Sequence, residues 1–213
     1  MNDPDPKTAL PQLLVVADRF TDPRMEVRIL TAVQFGVRWI QLRDHGASTD
    51  SFEYSASTLV AKIRQINPNT MISINSKLTA ARSLSTSFHT TQKGPTVNES
   101  LDFLGRKQIV GKSTHSVQEA TDARRDEASY VTFGSVYETR SHPGGHVQGV
   151  EKLREVCQAA GSMPVIAIGG VRPEKVGECV EAGAHGIAAI SAILHARDIA
   201  QAVRAYSSVI PGL

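Results

Sequence analysis

Cysteine is nearly absent from this chain: two residues in 213, Cys157 and Cys179. Each falls in an apparently helical segment with no CxxC or Cys/His spacing nearby, so the chain is expected to be reduced and free of zinc. An excess of charge of one sign is also missing. Lys and Arg number 23 against 21 Asp and Glu, and they are scattered, which leaves no electrostatic stripe for nucleic acid. No apolar run approaches a membrane span, and the N-terminal MNDPDPKTALPQ lacks the basic start and apolar middle of a secretory signal. The expectation is a cytoplasmic protein with no membrane or nucleic-acid partner. Linkers and low-complexity tracts are absent too. What is present is ordinary globular composition, 41% hydrophobic and 21% charged, and a length that favours one domain over 1–213, with 1–11 as a flexible N-terminal tail.

Short apolar runs recur between longer polar-apolar segments. The runs are LLVVAD (13–18), VRWIQLR (37–43), TMISIN (70–75), SFHTT (87–91), QIVGKST (108–114), YVTFGSV (130–136), PVIAIGG (164–170) and HGIAAIS (185–191). Most have the length and β-branched content of buried strands, and SFHTT carries the weakest such pattern. Between them lie helical candidates: Pro23 to Phe35, Asp50 to Gln65, Ser116 to Arg125, Val150 to Ala160, Pro173 to Ala182 and Ala196 to Ser207. Ser116 with Glu119 three residues later has the form of a helix start. Eight strands alternating with crossovers predict an α/β fold, a single (β/α)8 TIM barrel; an open flavodoxin-type sheet would leave two or three units unused.

In such a barrel the polar residues just after each apolar run converge on one mouth. They include Asp18, Gln41, Arg43, His45, Asn75 and Ser113 in the first half, and His115, Glu138, Thr139, Gly169, Gly170 and Ser191 in the second. Gly169 and Gly170, paired with Ile190 and Ser191 at the end of the last strand, predict a phosphate site on backbone N–H groups, or else merely tight strand-to-helix turns. Gln41 and Arg43 are two apart and share a side of their strand, so Arg43 needs an anion: substrate, or a salt bridge to Asp18 or Glu138. By the same alternation Ser113 and His115 share a side, with His115 a proton carrier or a loop anchor. The loop within TFGSVYETRSHPGGHVQG, residues 132–149, holds the titratable Glu138, His142 and His146, and Gly144 and Gly145 give it the look of a lid.

Taken together, IQLRDH, ISINSKLTAA, IVGKSTHSVQEA, YVTFGSVYET, VIAIGGV and GIAAISAI resemble the thiamine-phosphate synthase and TenI superfamily over nearly the whole chain. The resemblance implies that Gln41, Arg43, Asn75, Ser113 and Thr139 line the pocket, and that the Gly170 and Ser191 loops take a substrate phosphate. It also implies departures. The synthase branch holds Mg²⁺ on an Asp after the Asn of strand three and another after strand four, and here those positions read Ser76 and Gly94. Two pocket lysines of that branch align with His45 and His142.

The FGxVxET form, with Glu138, resembles the TenI branch, whose members are similar to thiazole tautomerases, although the His that follows FG there is Ser135 here. On this reading the protein is a cofactor-independent thiazole tautomerase, an isomerase that aromatises a phosphorylated 2-carboxythiazole. His142 and Glu138 would carry the proton and Ser135 would position a water. The partner is the phosphorylated thiazole, and the reading leaves room for a homodimer. No metal is expected, with Mg²⁺ needed only if the chain is instead a thiamine-phosphate synthase. A catalytically silent thiazole- or thiamine-phosphate binder is the third reading.

Overall fold

The computed structural model describes residues 10–139 and 144–210. Eight parallel strands close into a barrel in sequence order: β1 (Leu13–Asp18), β2 (Trp39–Arg43), β3 (Met71–Asn75), β4 (Ser87–Thr90), β5 (Val110–Thr114), β6 (Tyr130–Phe133), β7 (Val165–Ile168) and β8 (Gly186–Ala189). β1 pairs with both β2 and β8, so no edge is left and the open-sheet alternative is excluded. The chain is thus a single (β/α)8 TIM barrel. SFHTT is a strand despite its weak pattern, because its four residues are buried between β3 and β5.

The helices of the described residues are α1 (Pro23–Gln34), α2 (Thr49–Ile66), α3 (Leu78–Ser83), α4 (Val97–Leu104), α5 (Val117–Arg125), α6 (Gly149–Ala160), α7 (Val176–Glu181), α8 (Ser191–Leu194) and α9 (Ile199–Ser207). Their starts follow local chemistry. Asp22 accepts from the Arg24 amide ahead of Pro23, and Thr96 and Glu99 form a reciprocal capping box. The last helix begins at Ile199 rather than Ala196 because Asp198 caps it through the Gln201 amide. α3 and α4 are too short for a clear sequence period and went unread. None of the helices is long and apolar enough to cross a membrane.

Alternation along each strand divides the apolar residues into two sets. One set, including Val15, Ile40, Ile74, Phe88 and Val131, packs outward under the helices. The other, including Leu14, Val16, Trp39, Tyr130, Ile166 and Ala188, fills the barrel itself. Trp39 and Tyr130 meet edge to face with centroids 4.7 Å apart. Gly111 makes this possible, since a Cβ there would fall 2.1 Å from the Tyr130 Cζ.

Candidate active site

Moving along the strands from this apolar plug, the interior turns polar. Trp39 Nε1 donates to Ser73 Oγ at 2.9 Å, Ser73 Oγ lies 2.9 Å from Ser87 Oγ, and Ser87 Oγ donates to the Ile72 carbonyl. His89 bridges two strands: its Nδ1 lies 3.1 Å from the Tyr130 hydroxyl and its Nε2 2.9 Å from Ser113 Oγ. Burial, helped by the charge of Arg43, drops the His89 pKa to about 3, so the imidazole is neutral. Thr132 Oγ1 also donates to Ser113 Oγ, at 3.5 Å. Asn75 Nδ2 donates to Gln41 Oε1 at 3.4 Å, and the buried Gln41 Nε2 makes no hydrogen bond of good geometry among the described residues, although the Gln41 side chain is near enough to the Tyr130 hydroxyl to influence it. An unpaired buried donor is costly, and such orphans concentrate where a ligand completes the set.

Gln41 and Asn75 therefore meet each other in the interior, while Ser113 meets His89 and Thr132. Arg43 sits at the rim, where its Nε donates to Asp18 Oδ1 at 2.9 Å. Of the two carboxylates offered by the sequence, the partner is Asp18; Glu138 is exposed. His115 takes the anchoring geometry, with Nδ1–H donating to the Gly134 carbonyl at 2.8 Å, which ties the end of β5 to the end of β6. Ser135 is half-buried and its carbonyl accepts from Gln148 N at 2.8 Å. Thr139 is half-buried, and His146 is exposed. His142 lies outside the described residues, as does the middle of the expected lid.

Gly169 and Gly170 have φ of +93° and +67°. A Cβ on the first would lie 2.6 Å from Ser135 Cα, and on the second 2.2 Å from the Glu138 carbonyl oxygen. Both glycines thus let the β6 loop lie on the β7 loop, where Val136 N donates to Ile168 O and Tyr137 N to Gly169 O, each at 2.9 Å. Ile190 caps α8 with φ −111° and ψ −90°, placing Ser191 at the helix start. At the other end of α8, the Arg28 guanidinium closes the Leu194 and Ala196 carbonyls.

The thiamine monophosphate synthase family model matches residues 13–193. The chain belongs to this family. Thiamine-phosphate synthases of Clostridium acetobutylicum and Chlorobium luteolum are 29% and 32% identical over 202 and 200 residues, covering 93% and 94% of this chain and 94% and 93% of the relatives. The thiamine phosphate pyrophosphorylase of Pyrococcus furiosus superposes with a TM-score of 0.81 at 26% identity, covering 93% of this chain and 94% of that one. These names correct the tautomerase reading: the near-full-length curated relatives are synthases, transferases rather than isomerases. The FGxVxET form with Glu138, and Ser76, Gly94, His45 and His142 at the synthase branch's carboxylate and lysine positions, pointed the other way; they are local departures within a likeness that spans nearly the whole chain.

The family implies a divalent cation, and the donor set here does not fit one. Ser76 turns its hydroxyl to Asn75 Oδ1 at 2.8 Å, and a side chain at Gly94 would meet Thr90 Oγ1 at 2.6 Å. Asp18 is engaged by Arg43. Asp44 accepts at Oδ2 from Thr21 Oγ1 at 2.5 Å and at Oδ1 from the Gly46 and Ala47 amides at 3.0 and 3.1 Å. Among the described residues no group of three or more His, Cys, Asp or Glu is placed to hold a metal.

Proposed function

We propose that this family member catalyses the thiamine-phosphate synthase reaction, in which a phosphorylated thiazole displaces pyrophosphate from a pyrimidine diphosphate. The observation that carries the reading is the likeness to named synthases over nearly the full length of both chains. The geometry supports it with polar groups in the barrel interior. Gln41 Nε2, Asn75 and Ser113 offer hydrogen bonds to a heterocycle in the barrel interior. In this reading the Gly170 and Ser191 loops hold the thiazole phosphate, and Arg43 faces the charge that grows on the departing pyrophosphate.

Ser113 has the clearest role. A neutral imidazole has one N–H, so one ring nitrogen of His89 donates while the other accepts. If Nε2 donates, Ser113 Oγ receives from both His89 and Thr132, and its own proton is turned outward to a ligand. The test is incubation of the purified protein with both substrates and detection of thiamine phosphate by mass spectrometry. Absence of product, with and without magnesium, while both substrates bind would replace the synthase reading with that of a binding protein.

A further inference from the structure

A cavity of about 680 Å³ opens between the β1 and β2 loops, lined by Asp18, Arg19, Arg43, Asp44 and His45 among others. Its carboxylates are already committed. Asp18 is bonded to Arg43, Asp44 accepts from Thr21 and two loop amides, and Asp22 on the outer wall is held by Arg24 through contacts of 2.6 to 3.2 Å. Its basic side chains are not committed in the same way. The exposed Arg19 guanidinium and His45 imidazole have no partner among the described residues, and only Nε of Arg43 is taken.

Arg19 also occupies a backbone position that side chains seldom adopt, with φ +54°. It is fixed there by Arg19 N donating to the Arg43 carbonyl at 2.8 Å and by Asp22 N donating to the Arg19 carbonyl at 3.0 Å. Strain of this kind persists where the surroundings over-determine it, and it gathers at ligand clamps. Ser76, at the position where the family places a metal carboxylate, shares the left-handed conformation with φ +62°. Among the described residues the mouth thus holds no carboxylate that is free of a partner, and on one side it carries an Arg19 guanidinium that has none.

Resting on the synthase reading, we infer that this cavity binds the diphosphate of the substrate directly, on Arg19, Arg43 and His45, with no divalent cation between protein and anion. Arg suits the task because its planar fork spans two phosphate oxygens and its charge does not depend on pH. The family's metal is then replaced by side chains rather than by a rearranged set of carboxylates.

The experiment is calorimetric titration of the whole protein with inorganic pyrophosphate, once in EDTA and once with magnesium in excess over pyrophosphate, with orthophosphate as the control anion. Pyrophosphate is expected to bind in EDTA with a Kd within about threefold of that in magnesium, and orthophosphate more weakly. Loss of one hydrogen-bonding contact to the anion should weaken pyrophosphate by about tenfold or more in Arg19→Gly and in His45→Ala. Glycine is chosen at 19 because it accepts the left-handed backbone, and an unchanged melting curve shows that the fold is kept. Binding that requires magnesium, no binding in either condition, or wild-type affinity in both variants overturns the inference. Product formation together with magnesium-dependent pyrophosphate binding would sink this inference and leave the synthase reading intact. Pyrophosphate bound in EDTA with no product under any condition would do the reverse.

Discussion

His89 is buried between Tyr130 and Ser113 and holds its pKa near 3, first through desolvation and second through the positive charge of Arg43. An unfolded chain would protonate it near 6.5. Below that pH the unfolded state takes up a proton that the folded state refuses, so this group's contribution is present above about 6.5 and is lost as pH falls toward 3. The slope is roughly 1.4 kcal/mol per pH unit over that window. Denaturant titrations at stepped pH should show it, and His89→Gln, which keeps hydrogen-bonding atoms but does not titrate there, should flatten it. Gln41 makes the opposite case. Its Nε2 is buried and unpaired among the described residues while its Oε1 accepts from Asn75 Nδ2, so Gln41→Met removes one orphaned donor and creates another, and should leave stability within about 1 kcal/mol of wild type. Turnover should nevertheless fall by about tenfold or more if that donor serves the heterocycle. A variant that loses stability and activity in parallel would make Gln41 a structural residue instead.

Between β6 and β7 the spacing of two loops is set by what glycine lacks. The Gly170 Cβ position lies 2.2 Å from a backbone oxygen of the β6 loop, so Gly170→Ala must push that loop aside as well as strain its own φ of +67°. A loss of about 1–3 kcal/mol in denaturant stability is expected, with weaker binding of thiazole phosphate. Gly177, inside α7, has open space around its Cβ position and no left-handed φ. Gly177→Ala should raise stability by about 0.5–1 kcal/mol, because alanine loses less entropy on entering a helix. Equal effects at the two positions would contradict the packing argument. This pair also shows where the sequence misled. Reading the last two runs to Gly170 and Ser191 carried β7 and β8 two residues too far, because the glycines and Ser191 already belong to the loop and helix that follow.

For the whole barrel, ligand and stability are linked. A phosphorylated thiazole that binds only the folded state adds about 2.7 kcal/mol at one hundred times its Kd. For a domain of this size that amounts to a rise of about 5–10 °C in Tm, read by a thermal melt. No rise at any concentration would remove the thiazole phosphate as ligand. The same melt made with Cys157 and Cys179 under oxidising and reducing conditions should not differ. Burial pushes the Cys157 thiol up to about 11 and raises that of Cys179 as well, which keeps both protonated and unreactive.

The sequence by itself determined the architecture, because eight buried strands separated by amphipathic segments have few ways to close without an exposed edge. It also determined which side chains face the barrel interior, since period-two alternation carries Gln41, Asn75 and Ser113 to one side of their strands. His89 was not legible, because the short run SFHTT carries too weak a strand pattern to orient it. Nor could the sequence decide that Arg43 pairs through Nε with Asp18, that Asp44 accepts from Thr21 of the β1 loop as well as from its own loop, or that Arg19 and His45 have no side-chain partner among the described residues. Those pairings join residues up to 25 apart in sequence across strands brought together only in the closed barrel. Local periodicity fixes direction along a strand, whereas partners across a mouth depend on register and loop path, which are properties of the closed tertiary structure.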